Sequence, residues 1–405
     1  MFYQEKNNTM AALFATIGEK GFEGMGEAIQ ILMNEAMKVE RNRFLGAMPY
    51  ERNSNRDGYA NGYKDKTVKT RVGQINLQVP QVRDSDFYPQ SLEKGMRSEK
   101  ALRLALAEMY VQGVSTKRVK AVTTILCGYE VSSVEVSRAS KLMDEEQEKW
   151  RNRPLGAFKY MTVDAIYEKE RSDGCVVDAA VLIAYGINSA GQREVLGISV
   201  SLSEHEIHWR SFFESLVARG LYGLEMITSD AHLGLKAARQ AVFPSVPWQR
   251  CQFHLQQNAS AHVSKKSKKA EVANDIRNIF NAPDLKEAER LLSNTIDKYK
   301  DSESKLADWM ENNIPETFTV FKIPSKHQKK LRTSNMAERV NKEIRRRTKV
   351  VGIFPNSQSC LRLITAILLE ISDDWITGAA YLRSGALKIL RISLATSAFL
   401  DFLLT

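Results

Sequence analysis

The sequence predicts an α/β protein built on a mixed sheet covered by helices, and three observations carry that expectation. Residues 158–201 hold three β-prone, apolar runs, with the turn signal Asn188-Ser-Ala-Gly between the second and the third. Helix and strand patterns then alternate as far as about residue 251. After a polar helical stretch, the chain returns through an arginine-studded helix around residues 335–349. Antiparallel strands followed by strand-helix alternation describe a mixed sheet rather than a sandwich or a bundle.

Taken in order, the first signal is an amphipathic helix at 24–43, with Ala28, Ile29, Ile31, Leu32, Ala36 and Met37 at helical spacing, suited to packing or self-association. A Gly- and Asn-rich passage, 53–66, leads into alternating residues around Val72-Gly73-Gln74, which predict two short antiparallel strands. Lys64, Lys66, Lys69 and Arg71 place positive charge on that hairpin, for DNA or simply to keep a solvated edge from pairing. Residues 98–150 divide into helices at 98–112, 115–126 and from Ser132 or Ser133 to Trp150, each opened by a serine able to cap it. That spacing suits a helix-turn-helix whose third helix, with Arg138 and Lys141, enters the major groove; a packing module without DNA contact fits the same pattern.

The strands begin at Tyr160-Met-Thr-Val-Asp, Cys175-Val-Val-Asp and Arg193-Glu-Val-Leu-Gly, the last two forming a hairpin. A helix at 209–219, a strand at 224–230, a helix at 233–242 and a strand at 246–251 follow, the order of a ribonuclease H-like core. Residues 255–325 read as an all-α insertion that the sheet does not need. The expected organisation is therefore an N-terminal helix and basic hairpin (1–97), a helix-turn-helix region (98–152), the first part of the core (153–254), the insertion (255–325), the C-terminal helices of the core (326–375) and an apolar tail (376–405).

Composition limits the function. The 405 residues exceed one small core, and a net charge of +10 with a pI near 9.2 points to a polyanionic partner. Cys127, Cys175, Cys251 and Cys360 include no Cys-x-x-Cys pair, which speaks against a disulfide framework. No signal peptide is expected, because Gln4, Glu5, Lys6, Asn7 and Asn8 interrupt the first apolar residues, and the apolar stretch 392–405 is too short to span a bilayer. A cytoplasmic, nucleoid-associated protein is the expectation.

Against this basic background three carboxylates stand out. Asp164 and Asp230 each close a strand signal, where two acids can converge on one cation, although such aspartates also serve as turn formers. Glu338 lies in Asn335-Met-Ala-Glu-Arg-Val-Asn341-Lys-Glu-Ile-Arg345-Arg346-Arg347-Thr-Lys349, where helical spacing puts Glu338, Asn341 and Arg345 on one face. A solvated helix with Glu-to-Lys pairs is the plainer account of that segment. Cys251-Gln-Phe-His254 has no second pair with zinc spacing, so His254 reads either as an imidazole near the carboxylates or as a satisfied histidine at a helix start. His205-Glu-Ile-His208 is not a zinc-protease motif.

These residues resemble the Mutator-like transposases of bacterial insertion sequences over most of the chain, from about residue 40 to 375. The resemblance rests on Gly-Tyr-Ala-Asn-Gly-Tyr (58–63), Met-Tyr-Val-Gln-Gly-Val-Ser-Thr-Lys-Arg-Val (109–119), Trp209-Arg-Ser-Phe-Phe-Glu-Ser-Leu, Ser229-Asp-Ala-His-Leu-Gly-Leu-Lys-Ala-Ala, Trp248-Gln-Arg-Cys-Gln-Phe-His and Arg345-Arg-Arg-Thr-Lys-Val-Val-Gly-Ile-Phe-Pro-Asn. It implies an Asp-Asp-Glu transposase with Asp164, Asp230 and Glu338 as catalytic and metal-binding acids and Glu343 as a weaker third choice. It further implies supporting roles for Cys251, His254, Trp209, Asn335 and Asn341, with Mg2+ as cofactor and Mn2+ as substitute. The implied partners are double-stranded DNA, as terminal inverted repeats and target, and further copies of the chain, as a dimer or higher oligomer. Lys69, Arg71, Arg138, Lys141, Arg345, Arg346, Arg347 and Lys349 are the expected DNA-binding residues, the last four as phosphate clamps near the acids. From Gly385 onward the apolar ending departs from the family's polar one. A repressor that binds without cutting and a nuclease that cuts without joining are the competing functions.

Overall fold

The computed structural model describes residues 2–382 apart from 52, 53, 55 and 96; the tail expected from Gly385 onward lies outside the described residues. The chain divides into two compact units, residues 1–142 and 143–405.

The first unit opens with α1 (Phe2–Lys20), which the sequence reading did not anticipate, followed by α2 (Met25–Phe44). Strands β1 (Ala60–Thr70) and β2 (Gly73–Val82) form the expected hairpin, with Thr70 opposite Gly73. Gly73 adopts φ 112°, a conformation a side chain would oppose, so it permits the tight reversal. Ile75, Leu77 and Val79 alternate along β2 and bury one face against Met37 of α2.

Three helices follow: α3 (Lys100–Val111), α4 (Thr116–Cys127) and α5 (Ser133–Ser140). Ser115 caps α4, and Ser132 with Glu135 forms a reciprocal capping box on α5. Two expectations need correction. Ser98 does not cap α3; Glu99 holds that position without a side-chain cap, and Ser98 bridges to Lys69 of β1. The long third helix is also broken: α5 stops at Ser140, a 3-10 turn covers Lys141–Met143, and α6 (Asp144–Arg151) starts anew. Asp144, Glu145 and Glu146 in its first turn favour that new start through the helix dipole.

In the second unit β3 (Phe158–Ser172) and β4 (Cys175–Asn188) pair over their whole length through Asp173-Gly174, both at positive φ, and β5 (Arg193–Ser201) pairs antiparallel with β4. After α7 (Glu206–Ala218), β6 (Met226–Ser229) adds parallel to β3; after α8 (Leu233–Val242), β7 (Trp248–Arg250) adds parallel to β6. The order β5-β4-β3-β6-β7 makes the mixed sheet that was expected.

Alternation along the strands separates two faces. Met161, Val163, Leu182 and Ala184 face α7 and α8, whose Trp209, Phe212, Phe213, Leu216 and Leu235 complete that core. Asp164, Glu168 and Glu170 lie on the opposite face. The helices α9 (Gln252–Ala259), α10 (Lys269–Phe280), α11 (Leu285–Tyr299) and α12 (Ser304–Asn313) build their own core around Ile276, Leu306 and Met310. Arg250 ties this bundle to the sheet through Asn313 at 2.7 Å and Glu316 at 3.0 Å. The chain returns through α13 (Ser325–Leu331), α14 (Asn335–Thr348) and α15 (Ser357–Thr377).

Candidate active site

The site is set by strand register. β6 runs parallel to β3 with Thr228 beside Thr162, so two residues further along each strand Asp230 comes level with Asp164. Burial pushes Asp164 up to about 6; the amide of Asn341 opposes that rise, and the charge of Asp230 adds to it. Asp230 leaves β6 and turns into α8, its Oδ1 3.4 Å from the amide nitrogen of His232.

Helix α14 then crosses the same sheet face. Asn341 Nδ2 donates to Asp164 Oδ2 at 2.8 Å, Thr348 Oγ1 donates to Glu168 Oε1 at 2.8 Å, and just beyond the helix Ser357 Oγ donates to Glu170 Oε1 at 2.7 Å. These contacts lay the helix along β3, and Glu338, one turn before Asn341, falls at the Asp164 end. Glu338 Oε1 and Asn341 Oδ1 are both buried and have no hydrogen-bond partner among the described residues. Buried acceptors without partners are costly, and these two, one on the amide bonded to Asp164 and one a helical turn before it, mark a place suited to receive a donor or a cation. Among the described residues no three His, Cys, Asp or Glu side chains already close into a ligand set.

Glu343 is differently placed. It accepts from Arg346 Nη2 at 2.7 Å and from Arg347 Nε at 2.7 Å, and these guanidiniums hold its carboxyl down at about 2. Its acceptors are already engaged, whereas those of Glu338 are not, which favours Glu338 as the third acid.

Cys251 and His254 open α9 beside this centre. The Cys251 thiol is fully buried; it lies 3.2 Å from Ser334 Oγ and accepts from the Ser334 amide at 3.3 Å. Burial alone would raise the thiol, but His254 and Ser334 outweigh it and draw it below its usual value. Proximity to Cys251 raises His254 above the usual histidine value against the effect of burial, and Asp164 and Asp230 add to the rise. Among the described residues His254 Nδ1 is buried without a hydrogen-bond partner. Ser334 escaped the sequence reading; the only signal was its place just before the Asn335 helix.

The remaining expected residues separate by accessibility. Trp209 is buried in the core among Phe212 and Phe213, so any support it gives the site is through packing. Asn335, Arg138, Lys141, Arg345 and Lys349 are exposed. Lys69 is paired with Glu135 at 2.6 Å and Arg71 with Glu99 at 3.1 Å, though Arg71 remains largely exposed. The expectation for Arg347 needs correction: it is 4% exposed and bonded to Glu343 and, at 2.6 Å, to Glu370, so it joins α14 to α15 and does not face a phosphate. Arg347→Ala is expected to cost roughly 2–3 kcal/mol, below the range for fully buried pairs because Glu370 is half exposed. Urea unfolding and a DNA titration check this together: stability falls while the folded protein's DNA affinity stays unchanged.

The expectation that both aspartates end strands holds for Asp230 alone, just past β6; Asp164 lies midway along β3, paired with Ile183, because the strand continues to Ser172. Two acids level with one another on neighbouring parallel strands, with a third on a helix laid across the sheet, offer oxygen donors suited to phosphodiester chemistry. The chain belongs to the Mutator family of transposases, whose family model matches residues 2–378. It is 56% identical over 385 residues to the transposase for insertion sequence element IS406 of Burkholderia multivorans, covering 95% of this chain and 99% of that one. It is 41% identical to the transposase for ISRM5 of Rhizobium meliloti over 90% of this chain and 92% of the relative. The transposase for IS256 in transposon Tn4001 of Staphylococcus aureus is 36% identical over 85% of this chain and 89% of its own length. No helix among the described residues is long and apolar enough to cross a membrane.

Proposed function

We propose that this transposase binds the terminal inverted repeats of its insertion sequence and cuts and joins DNA at a divalent-metal centre formed by Asp164, Asp230 and Glu338. The observation that carries the proposal is the 2.8 Å bond from Asn341 to Asp164, which brings the helix of the unpartnered Glu338 over the part of the sheet where Asp164 and Asp230 come level. The sheet order, three antiparallel strands and then two parallel ones with an α-helical segment before α14, supports a ribonuclease H-like core with an all-α insertion.

The donor set suits a hard cation. Three carboxylates offer oxygen, and the nearby thiol of Cys251 is turned to Ser334, so Mg2+, with Mn2+ as substitute, fits better than zinc. Held by these acids, the cation supplies the charge that activates the attacking oxygen and stabilises the leaving one. The protein's own side chains do the positioning. Asn341 fixes the orientation of Asp164 and keeps its Oδ1 available. His254, favoured in its charged form by its surroundings, can donate to a phosphate oxygen. Arg345 on α14 and Lys349 just past its end, both exposed, bind the DNA backbone near the scissile phosphate, while Arg138 on α5 and Lys141 in the turn after it contact DNA as part of a helix-turn-helix. Cleavage frees a 3′-hydroxyl, which attacks a second phosphodiester and displaces its 3′-oxygen. Two ends must be processed, so a dimer or larger assembly on DNA is part of the proposal.

A supercoiled plasmid carrying both terminal repeats, incubated with the protein and Mg2+, tests this function. Strand breaks at the repeat ends followed by joined products are expected. Breaks without joining would make the protein a nuclease, and binding without breaks a repressor.

The raised Asp164 also carries a stability signature. Its neutral form is favoured by folding, so that contribution is complete below about 3.8 and is lost as pH rises through about 6. Asp164→Asn is therefore expected to stabilise the metal-free protein at pH 8 by on the order of 2 kcal/mol and to have little effect at pH 3.5. Thermal unfolding at the two pH values checks it, and equal effects at both would contradict the burial argument.

A further inference from the structure

Away from the carboxylates, a cleft of about 250 Å³ opens at the outer edge strand β5, between α7, α15 and the end of α6. Its polar lining comes from Arg151, Asn152, Ser199, Ser215 and Arg219. The surrounding charges are unequally matched. Asp144 is paired with Arg362, and Glu194 is paired with Arg153 at 2.7 Å. Glu148 is exposed and reaches Arg151 only through its field. Neither Arg151 nor Arg219 has an ion-pair partner among the described residues. Arg219 spends Nε on the Arg153 carbonyl at 2.9 Å and Nη1 on the Leu196 carbonyl at 2.8 Å, while its Nη2 is buried without a partner. Among the described residues Arg151 donates only to Thr365 Oγ1, at 3.3 Å. Gly197 of β5 makes room for this arrangement, since a Cβ there would come within 3.3 Å of Arg219 Nη1.

The fields of Glu148 and Asp144 reach Arg151 and that of Glu194 reaches Arg219, but two partly buried guanidiniums without an ion-pair contact are unfavourable unless an anion completes them. We propose that this cleft is a phosphate-binding site, in which Arg151 and Arg219 neutralise the anion and Asn152 and Ser199 bond its oxygens, the Ser215 hydroxyl being spent on the Phe212 carbonyl at 2.6 Å. Guanidinium forks suit phosphate geometry, and hydroxyl and amide donors complete such sites. The phosphate is either a DNA backbone group or a free anion. Neither the three acids nor their metal enters the argument, so its failure would leave the catalytic reading untouched.

The test uses the full chain and two variants. Arg151→Gln removes one cation, and Ser199→Asp sets a carboxylate against the arginines, which satisfies them in the folded state while excluding an anion. Inorganic phosphate, compared with chloride at equal ionic strength, is expected to raise the thermal midpoint of the wild type. Both variants should bind phosphate about tenfold or more weakly, the loss of one charge-assisted bond. In a second arm, duplex DNA is titrated at several salt concentrations. If the site holds a backbone phosphate, Ser199→Asp lowers the salt slope by about one; an unchanged slope with lost phosphate binding assigns a free anion. The proposal is overturned if phosphate does not stabilise the wild type and the DNA slope is unchanged, or if Ser199→Asp retains both responses.

Discussion

Asp164→Ala, Asp230→Ala and Glu338→Gln are each expected to lower strand cleavage and joining by on the order of 10³-fold or more while leaving the fold intact. A centre that works by placing charge against a developing oxyanion loses about that factor when a single stabilising group is removed, and loss of a metal ligand is at least as severe. The three acids form one unit, so their effects should not add: a double substitution should be no worse than the more severe single one. The measurement is joining of a pre-cleaved terminal repeat to target DNA, with circular dichroism confirming each variant's fold. Two of the three variants retaining wild-type joining would remove the shared centre from the account.

Trp209→Ala is the second large effect, and it concerns stability. The indole is fully buried, its ring centre 5.5 Å from that of Phe213 and 6.1 Å from that of Phe212. Truncation there should cost about 3–5 kcal/mol, much of an ordinary domain's stability. Trp209→Phe keeps most of the buried area, and its indole N–H has no partner to lose, so it should keep both stability and joining. Urea unfolding separates the roles. If Trp209→Phe were stable yet unable to join DNA, the indole would act in the reaction and not through the core.

Much of the site was legible because it depends on local chemistry. The β-prone runs placed Asp164 on one strand and Asp230 after another, and helical spacing gave Glu338 and Asn341 a common face, but β3 runs on to Ser172, because the polar, charged residues 168–172 still pair with β4 where the apolar run had ended. Neither signal states that the two segments meet, since that depends on the sheet register and on the path back through the α-helical segment. Arg347 shows the limit most clearly. In sequence it is one of three adjacent arginines, yet a turn of about 100° per residue sends it to the core and its neighbour Arg345 to the surface. Helix α1 was missed because its apolar residues make no strong stripe, with Leu13 its one buried hydrophobic side chain among those described. The long third helix failed for the opposite reason: residues 132–150 are all compatible with helix, and the break at 141–143 reflects tertiary context overriding propensity.

The choice of third acid separates this account most sharply from its nearest competitor, because Glu338 and Glu343 share a helix and differ in what they touch. The direct measurement is joining of a pre-cleaved terminal repeat by Glu338→Gln and by Glu343→Gln, both folded and assayed side by side with Mg2+ and Mn2+. The account predicts that Glu338→Gln abolishes joining with either metal, and that Glu343→Gln, having lost only ion pairs to Arg346 and Arg347, joins DNA with modestly reduced thermal stability. Wild-type joining by Glu338→Gln together with inactivity of a folded Glu343→Gln would contradict it.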